Sequence, residues 1–232
     1  MDSNGRMEST EGDTVNTMPE TPHDREEWLK ARGWGISGTG ASAIIGENPY
    51  MSNVDYWERL TGRAKAPDIS GKEVVQYGLN AEHHLIELFK LDFPEYTVQH
   101  EDWDLRRNEK YPFLIGSIDG QITDSDGRNG VLEIKTANVM RRSMMLKWEG
   151  GIPTNYFYQV VHYLLVTGWD FAIVKAQLKH IFRGGDFWLE TRHYTITRKQ
   201  VQTIIDDLLQ KELAFWQDVI NDRRPSLILP RI

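Results

Sequence analysis

Two short runs in this sequence hold the residue types that hydrolysis of a phosphodiester requires. They are Ser117-Ile118-Asp119-Gly120 and Val131-Leu132-Glu133-Ile134-Lys135. Side chains on a strand alternate between faces, so a strand over the second run turns Glu133 and Lys135 to one side and Leu132 and Ile134 to the other. An acid and a base are thereby projected into a polar cleft from an otherwise apolar strand. If the two runs pair as a hairpin, Asp119 comes alongside Glu133. Both carboxylates can then offer hard oxygen ligands to Mg²⁺, with the Ile134 carbonyl as a further ligand. Lys135 can orient the attacking water, take its proton, or stabilise the charge that develops at phosphorus. The bland alternative is that Asp-Gly marks a turn and Glu-x-Lys an ion pair on a solvated strand.

Those side chains need a scaffold to hold them. Apolar runs at residues 111–118 and 131–136 read as strands, with a hairpin turn over 124–130 and Asp119-Gly120 closing the first strand. Helices are expected around 139–148 and 156–167, a buried strand over 171–178 and a more polar one over 189–197. A final helix over 199–220 carries Val201, Ile205, Leu208, Leu209, Leu213, Trp216 and Ile220 at helical spacing. Upstream, Asp24 can cap a short helix, and Gly33, Gly35, Gly38 and Gly40 suggest a permissive loop. Short helices are expected over 41–45, ended by Gly46, and over 53–60. A long helix over 73–91 has Leu85, Ile86, Leu88 and Phe89 as its apolar stripe. This order implies the α/β class: one mixed β-sheet flanked by helices on both faces.

The chain has 232 residues, 40% hydrophobic and 26% charged, which suits one globular domain. Residues 1–22 lack apolar periodicity and read as a disordered acidic tail, leaving 23–232 as the single domain. The net charge is −7, an awkward value for a nucleic-acid enzyme, but residues 1–27 hold eight acids against two bases. The rest of the chain is close to neutral and can carry a local basic groove. The absence of cysteine excludes a disulfide framework, a thiolate zinc site, an iron–sulfur cluster and a cysteine nucleophile. No run approaches the ~20 apolar residues of a membrane span. The acidic N-terminal residues resemble neither a secretory signal nor a transit peptide, so a cytoplasmic location is expected. His83 and His84 adjoin Glu82, but neighbours on a helix point about 100° apart and do not readily share one ion. No Walker loop or dinucleotide fingerprint is present.

Residues 36–62, ISGTGASAIIGENPYMSNVDYWERLTG, resemble the opening signature of the YqaJ-type viral recombinases, the PD-(D/E)XK nuclease family that includes the phage lambda exonuclease. Gly78-Leu79-Asn80-Ala81-Glu82, the Ser-x-Asp-Gly box, the Glu-x-Lys strand and Tyr158-Gln159 follow in the family's order, covering about residues 28–165. The resemblance implies a restriction-endonuclease-like core and a catalytic set of Asp119, Glu133, Lys135 and Gln159. It makes Glu82 a metal-site carboxylate beside Asp119, Glu133 and Ile134. It also implies a 5′-phosphate pocket at Arg32, Thr39, Ser117 and Arg141, with Arg142 competing for the last place. Forked guanidiniums and hydroxyl donors suit a terminal phosphate. One departure is Ile118, where the family usually has proline.

By the same resemblance the activity would be a Mg²⁺-dependent 5′→3′ exonuclease on linear double-stranded DNA, with Mn²⁺ able to substitute. It would leave a 3′ single strand for phage-type recombination in a bacterial or phage-infected cell. The implied partners are a single-strand annealing protein and further copies of the chain, as a trimeric ring. Two rival readings remain: a restriction-like or repair endonuclease on the same core, and a catalytically silent DNA-binding subunit.

Overall fold

A computed structural model describes Pro19 and residues 22–230 of the chain. The expected acidic tail therefore lies outside the described residues, apart from Pro19 and Pro22. Pro22 is buried, and Arg107 donates from Nη2 to the Pro19 carbonyl at 2.9 Å.

The sheet is built around β5 (Asn129–Val139), whose Val131 and Leu132 are both fully buried, one on each face. It pairs antiparallel with β4 (Gly120–Thr123) and parallel with β6 (Phe171–Ile181). β1 (Thr97–Gln99) adds one antiparallel edge and β7 (Phe187–Thr197) the other, giving the order β1-β4-β5-β6-β7. The mixed sheet and its helix-covered faces agree with the class expected from sequence.

Each face is covered because its apolar side chains alternate along the strands. Leu132, Ile134, Phe171 and Ile173 point to α4 (Glu73–Asp92), which presents Leu85, Ile86 and Phe89. Val131, Ala172 and Val174 point the other way, to α6 (Thr154–Thr167) and α7 (Arg198–Ile220). Outside these lie α2 (Gly38–Ile44) and α3 (Asn53–Leu60), while α1 (Arg25–Arg32) precedes them. Ser52 caps α3 through a reciprocal box with Asp55, and Thr197 caps α7 through one with Gln200.

Several expectations change. Residues 111–118 do not form a strand of the main sheet. Only Ile115–Gly116 (β3) is extended, and it pairs with β2 (Arg106–Arg107) in a separate ribbon. The apolar content of this segment serves the core instead. Leu114 and Ile118 pack among the helices, and the backbone is tied to the chain before α2 by Ile36 N to Phe113 O and Ile115 N to Ile36 O. Gly38 and Gly40 are not in a loop but in the first turns of α2. A Cβ on Gly40 would lie 2.1 Å from the Tyr56 ring, and one on Gly38 would lie 2.8 Å from Gln159. These glycines are required by close approach of neighbours, not by chain reversal. Residues 139–141 continue or follow β5, so the next helix, α5 (Arg142–Glu149), begins later than expected.

Candidate active site

The β4–β5 ladder stops at the Gly120–Leu132 pair. Asp119 stands just past that point and reaches across the gap, where its Oδ2 accepts a hydrogen bond from Ile134 N at 2.7 Å. Asp119 thus precedes β4, whereas the sequence placed it at the end of a longer strand. Its position alongside Glu133 holds nonetheless, because β4 and β5 form the hairpin. The N–H and C=O of one strand residue leave on the same side, so the Ile134 carbonyl faces the same gap. His100 closes the far side, its Nδ1 2.6 Å from the Asp119 carbonyl oxygen.

Glu133 and Lys135 share the face of β5 turned to α6, as alternation requires. Glu133 is 2% exposed. Its Oε1 accepts from Lys135 Nζ and from Gln159 Nε2, the latter at 3.0 Å. Gln159 Nε2 also meets the Tyr163 hydroxyl at 2.8 Å, and the Lys135 ammonium sits 5.0 Å from the centre of the Tyr156 ring. Tyr156, Gln159 and Tyr163 fall at i, i+3 and i+7, one face of α6. That spacing was visible in the sequence, but nothing there said which strand the face would meet.

The electrostatics of this cluster are those of acids held too close together. Burial and the charge of Asp119 push Glu133 up to about 8, against the pull of Lys135. Burial and Asp119 likewise push Glu82, half-buried on α4, up to about 7. Burial raises Asp119 as well, opposed by Lys135, the Ile134 N–H and Arg32. For Lys135, burial disfavours the ammonium, but Glu133 and Asp119 outweigh it and raise its pKa.

Among the described residues no group of three His, Asp or Glu side chains forms a ready metal cage. The donor chemistry still fits a divalent cation that keeps part of its water shell, since Mg²⁺ commonly takes one or two carboxylates only. Glu133 Oε2 is buried with no hydrogen-bond partner, which is costly for an acid unless something cationic fills the place. The mutual repulsion of Glu82, Asp119 and Glu133 has the same remedy.

The four expected phosphate-binding residues are less unified. Arg32, half-buried at the end of α1, stacks 4.8 Å from the Trp28 ring, and its charge reaches Asp119. Ser117 lies between β3 and β4, close in sequence to Asp119. Thr39 is exposed on α2 between the two glycines that pack against α6 and α3. Arg141, at the N-cap of α5, is exposed, as is Arg142. At about 3.3 Å per strand residue, its backbone stands on the order of 15–20 Å beyond Lys135. Among the described residues no hydrogen bond joins any two of the four. His83 and His84 are exposed on α4 and make an edge contact with each other.

A family model described as the YqaJ-like viral recombinase domain matches residues 27–170. A Bacillus subtilis protein named YqaJ, described as uncharacterized, is 30% identical over 206 residues, which is 88% of this chain. The chain spans 59% of the length of that curated relative. Among solved structures, the alkaline exonuclease LHK-Exo of Laribacter hongkongensis superposes with a TM-score of 0.63 at 16% identity, covering 85% of this chain and 94% of its own. A phage-related exonuclease from Haemophilus somnus 129PT superposes with a TM-score of 0.51 at 15% identity, covering 81% and 96%. At these identities the likeness is one of fold.

Proposed function

This chain belongs to the YqaJ-like viral recombinase family, and on that footing we propose that it is a deoxyribonuclease, a Mg²⁺-dependent 5′→3′ exonuclease of linear double-stranded DNA. The observation that carries the reading is the junction where β4 ends. There Asp119 and Glu133 meet at the same gap, and Lys135 and Gln159 are both bonded to Glu133.

Glu82, Asp119, Glu133 and the Ile134 carbonyl are the groups that would hold the ion. When bound, it would polarise the phosphate and make the attacking water more acidic. Gln159 holds one oxygen of Glu133 and leaves Oε2 free to face the cation. Glu133 and Asp119 raise the Lys135 pKa, which suits its ammonium to stabilising the charge that develops on the phosphate oxygens. Ile134 N fixes the Asp119 carboxylate by one oxygen. Arg32, Thr39, Ser117 and either Arg141 or Arg142 would grip the 5′-terminal phosphate, which offers more charge and more free oxygens than an internal diester. Product would be a 3′ single strand, suited to an annealing protein.

The deciding experiment digests linear and closed circular duplexes, with 5′-phosphate or 5′-hydroxyl ends, in Mg²⁺ or in chelator. Expected are loss of the linear 5′-phosphorylated duplex in Mg²⁺, slower attack on 5′-hydroxyl ends, and no reaction in chelator. Efficient nicking of closed circles would replace the exonuclease by an endonuclease on the same core. No hydrolysis under any condition would leave a silent DNA-binding subunit.

A further inference from the structure

Past the active site the sheet runs on beyond its last buried cluster, which includes Leu178 and Val139. β6 and β7 run on as a hairpin to the Ile181–Phe187 pair, closed by a turn with Gly184 and Gly185 at positive φ. Phe182 is 56% exposed, Phe187 54% and Trp188 46%. Three large rings at one hairpin tip are an unusual expense in unfavourable hydration for a surface that no other described element covers.

The rings are accompanied by cations. Lys179 projects from the same face as Phe187, with its ammonium 4.3 Å from that ring and 5.9 Å from the Tyr77 ring on α4. Arg183 is exposed in the turn. The end of β5 lies next to this tip, because Val139 pairs with His180, so Arg141 and Arg142 emerge at the same edge. On the acidic side, Glu190 is already engaged by His180 and Arg192, which leaves Asp186 in the turn. In a chain of net charge −7 this is a local excess of positive charge.

Exposed rings interleaved with cations are the recognition chemistry of unpaired nucleic acid, whose bases offer stacking faces and whose phosphates offer charge. A protein partner would be met by rings alone as readily as by rings with cations. We propose that the β6–β7 hairpin tip is a binding platform for single-stranded DNA, with bases stacking on Phe182 and Phe187 and phosphates met by Lys179 and Arg183. The proposal rests on the nuclease reading, since the occupant is the strand that digestion leaves unpaired. The edge lies on the order of 15–20 Å from Lys135, a few nucleotides of extended strand away. Trp188 is stacked on His180 with ring centroids 4.1 Å apart, which braces the tip from the opposite face.

The test measures anisotropy of a labelled oligothymidylate of about 12 nucleotides, within the usual site range, with full-length protein in chelator so that no hydrolysis occurs. Wild type should bind, more weakly as salt rises. Phe187→Tyr keeps a stacking ring and should bind as wild type. Phe187→Leu keeps apolar bulk without a ring face and should bind roughly tenfold more weakly. Lys179→Ala and Arg183→Ala should flatten the salt dependence. Thermal melting of each variant reports folding separately, so a destabilised Phe187→Leu is replaced by Phe182→Leu in the turn. Equal affinity of the Tyr and Leu variants overturns the platform, as does a wild type that ignores the oligonucleotide while degrading duplex ends. Dissociation of an oligomer by the Leu variants, seen by light scattering, would also overturn it and make the tip a contact between copies of this chain. Binding of the oligonucleotide without any duplex digestion would uphold the platform and remove the nuclease reading.

Discussion

Lys135 donates to the buried Glu133 carboxylate, and the charges of Glu133 and Asp119 raise its pKa against the cost of burial. On the proposed reading a cation there would stabilise charge in the transition state, so Lys135→Ala should cost about 10²–10⁴-fold in hydrolysis rate while leaving the fold intact. Circular dichroism and initial rates on one preparation measure both, and a near-normal rate would reduce the Glu-x-Lys pair to a buried structural ion pair. Tyr163 acts through Gln159, whose amide it meets at 2.8 Å. Tyr163→Phe should therefore slow turnover only about twofold to tenfold, the worth of one net hydrogen bond. As a positioning change it should lower kcat without raising KM for DNA ends, and a rise in KM alone would assign Tyr163 to substrate binding.

At the scale of elements, the site depends on how closely α2 approaches α6. Gly38 leaves room for the Gln159 methylene and the Tyr163 ring, each within 3 Å of where a Cβ would stand. Gly38→Ala must push α2 away or turn Gln159 off Glu133. Overpacking of this kind typically costs about 1–3 kcal/mol. The melting temperature should fall and the hydrolysis rate should fall with it. Gly62→Ala makes the control for glycine loss alone, since Gly62 has φ +73 and nothing within 4 Å. It should lower stability through backbone strain without touching the rate. Activity unaffected by Gly38→Ala would show that Gln159 does not need its present position.

At the scale of the whole molecule, the helical layer is joined through a buried polar pair. His162 on α6 places Nδ1 2.7 Å from Glu212 Oε1 on α7 and Nε2 2.9 Å from the Ile115 carbonyl, so both ring nitrogens face acceptors. Burial disfavours the charged ring, but Glu212 and the two hydrogen bonds outweigh it and raise the His162 pKa above 6.5. A raised folded-state pKa stabilises fully below 6.5, and that stabilisation is lost as pH rises through the folded value. The melting temperature should thus decline from slightly acid to alkaline pH. Glu212→Ala should shallow that slope to the part that Glu82 and Glu133 contribute, and cost about 3–5 kcal/mol, because it strands the partner in the core. A slope left unchanged by Glu212→Ala would show His162 neutral in the fold. Assembly belongs to this scale too. A ring would turn several basic edges inward and compensate for a chain of net charge −7. Light scattering at micromolar concentration should report about three times the chain mass of 26.9 kDa, and a processive monomer would refute the ring.

Local rules were enough for much of this protein. Alternation along β5 put Glu133 and Lys135 on one face, because a strand's period of two leaves no other arrangement. The apolar stripes of α4 and α7 marked those helices and part of their buried faces, although Leu88 and Ile220 are exposed and Phe215 and Val219 are buried instead, and the order of elements implied a mixed sheet between helical layers. What the sequence could not decide were relations between segments far apart in the chain. Residues 111–118 have the apolar content of a sheet strand, yet they bond to the chain before α2, since only the packed core determines which surface that content meets. Gly38 and Gly40 look like loop residues until Gln159 and Tyr56 are seen against them. Glu82 was named through resemblance alone, and its place opposite Asp119 depends on how α4 crosses the sheet. Tyr156 and Tyr163 could be seen to share a helix face, but a helix face becomes part of a site only when a strand is packed against it. That packing, with the burial that raises Glu82, Asp119 and Glu133 together, is a property of the tertiary structure because charge and distance act through space and not along the chain.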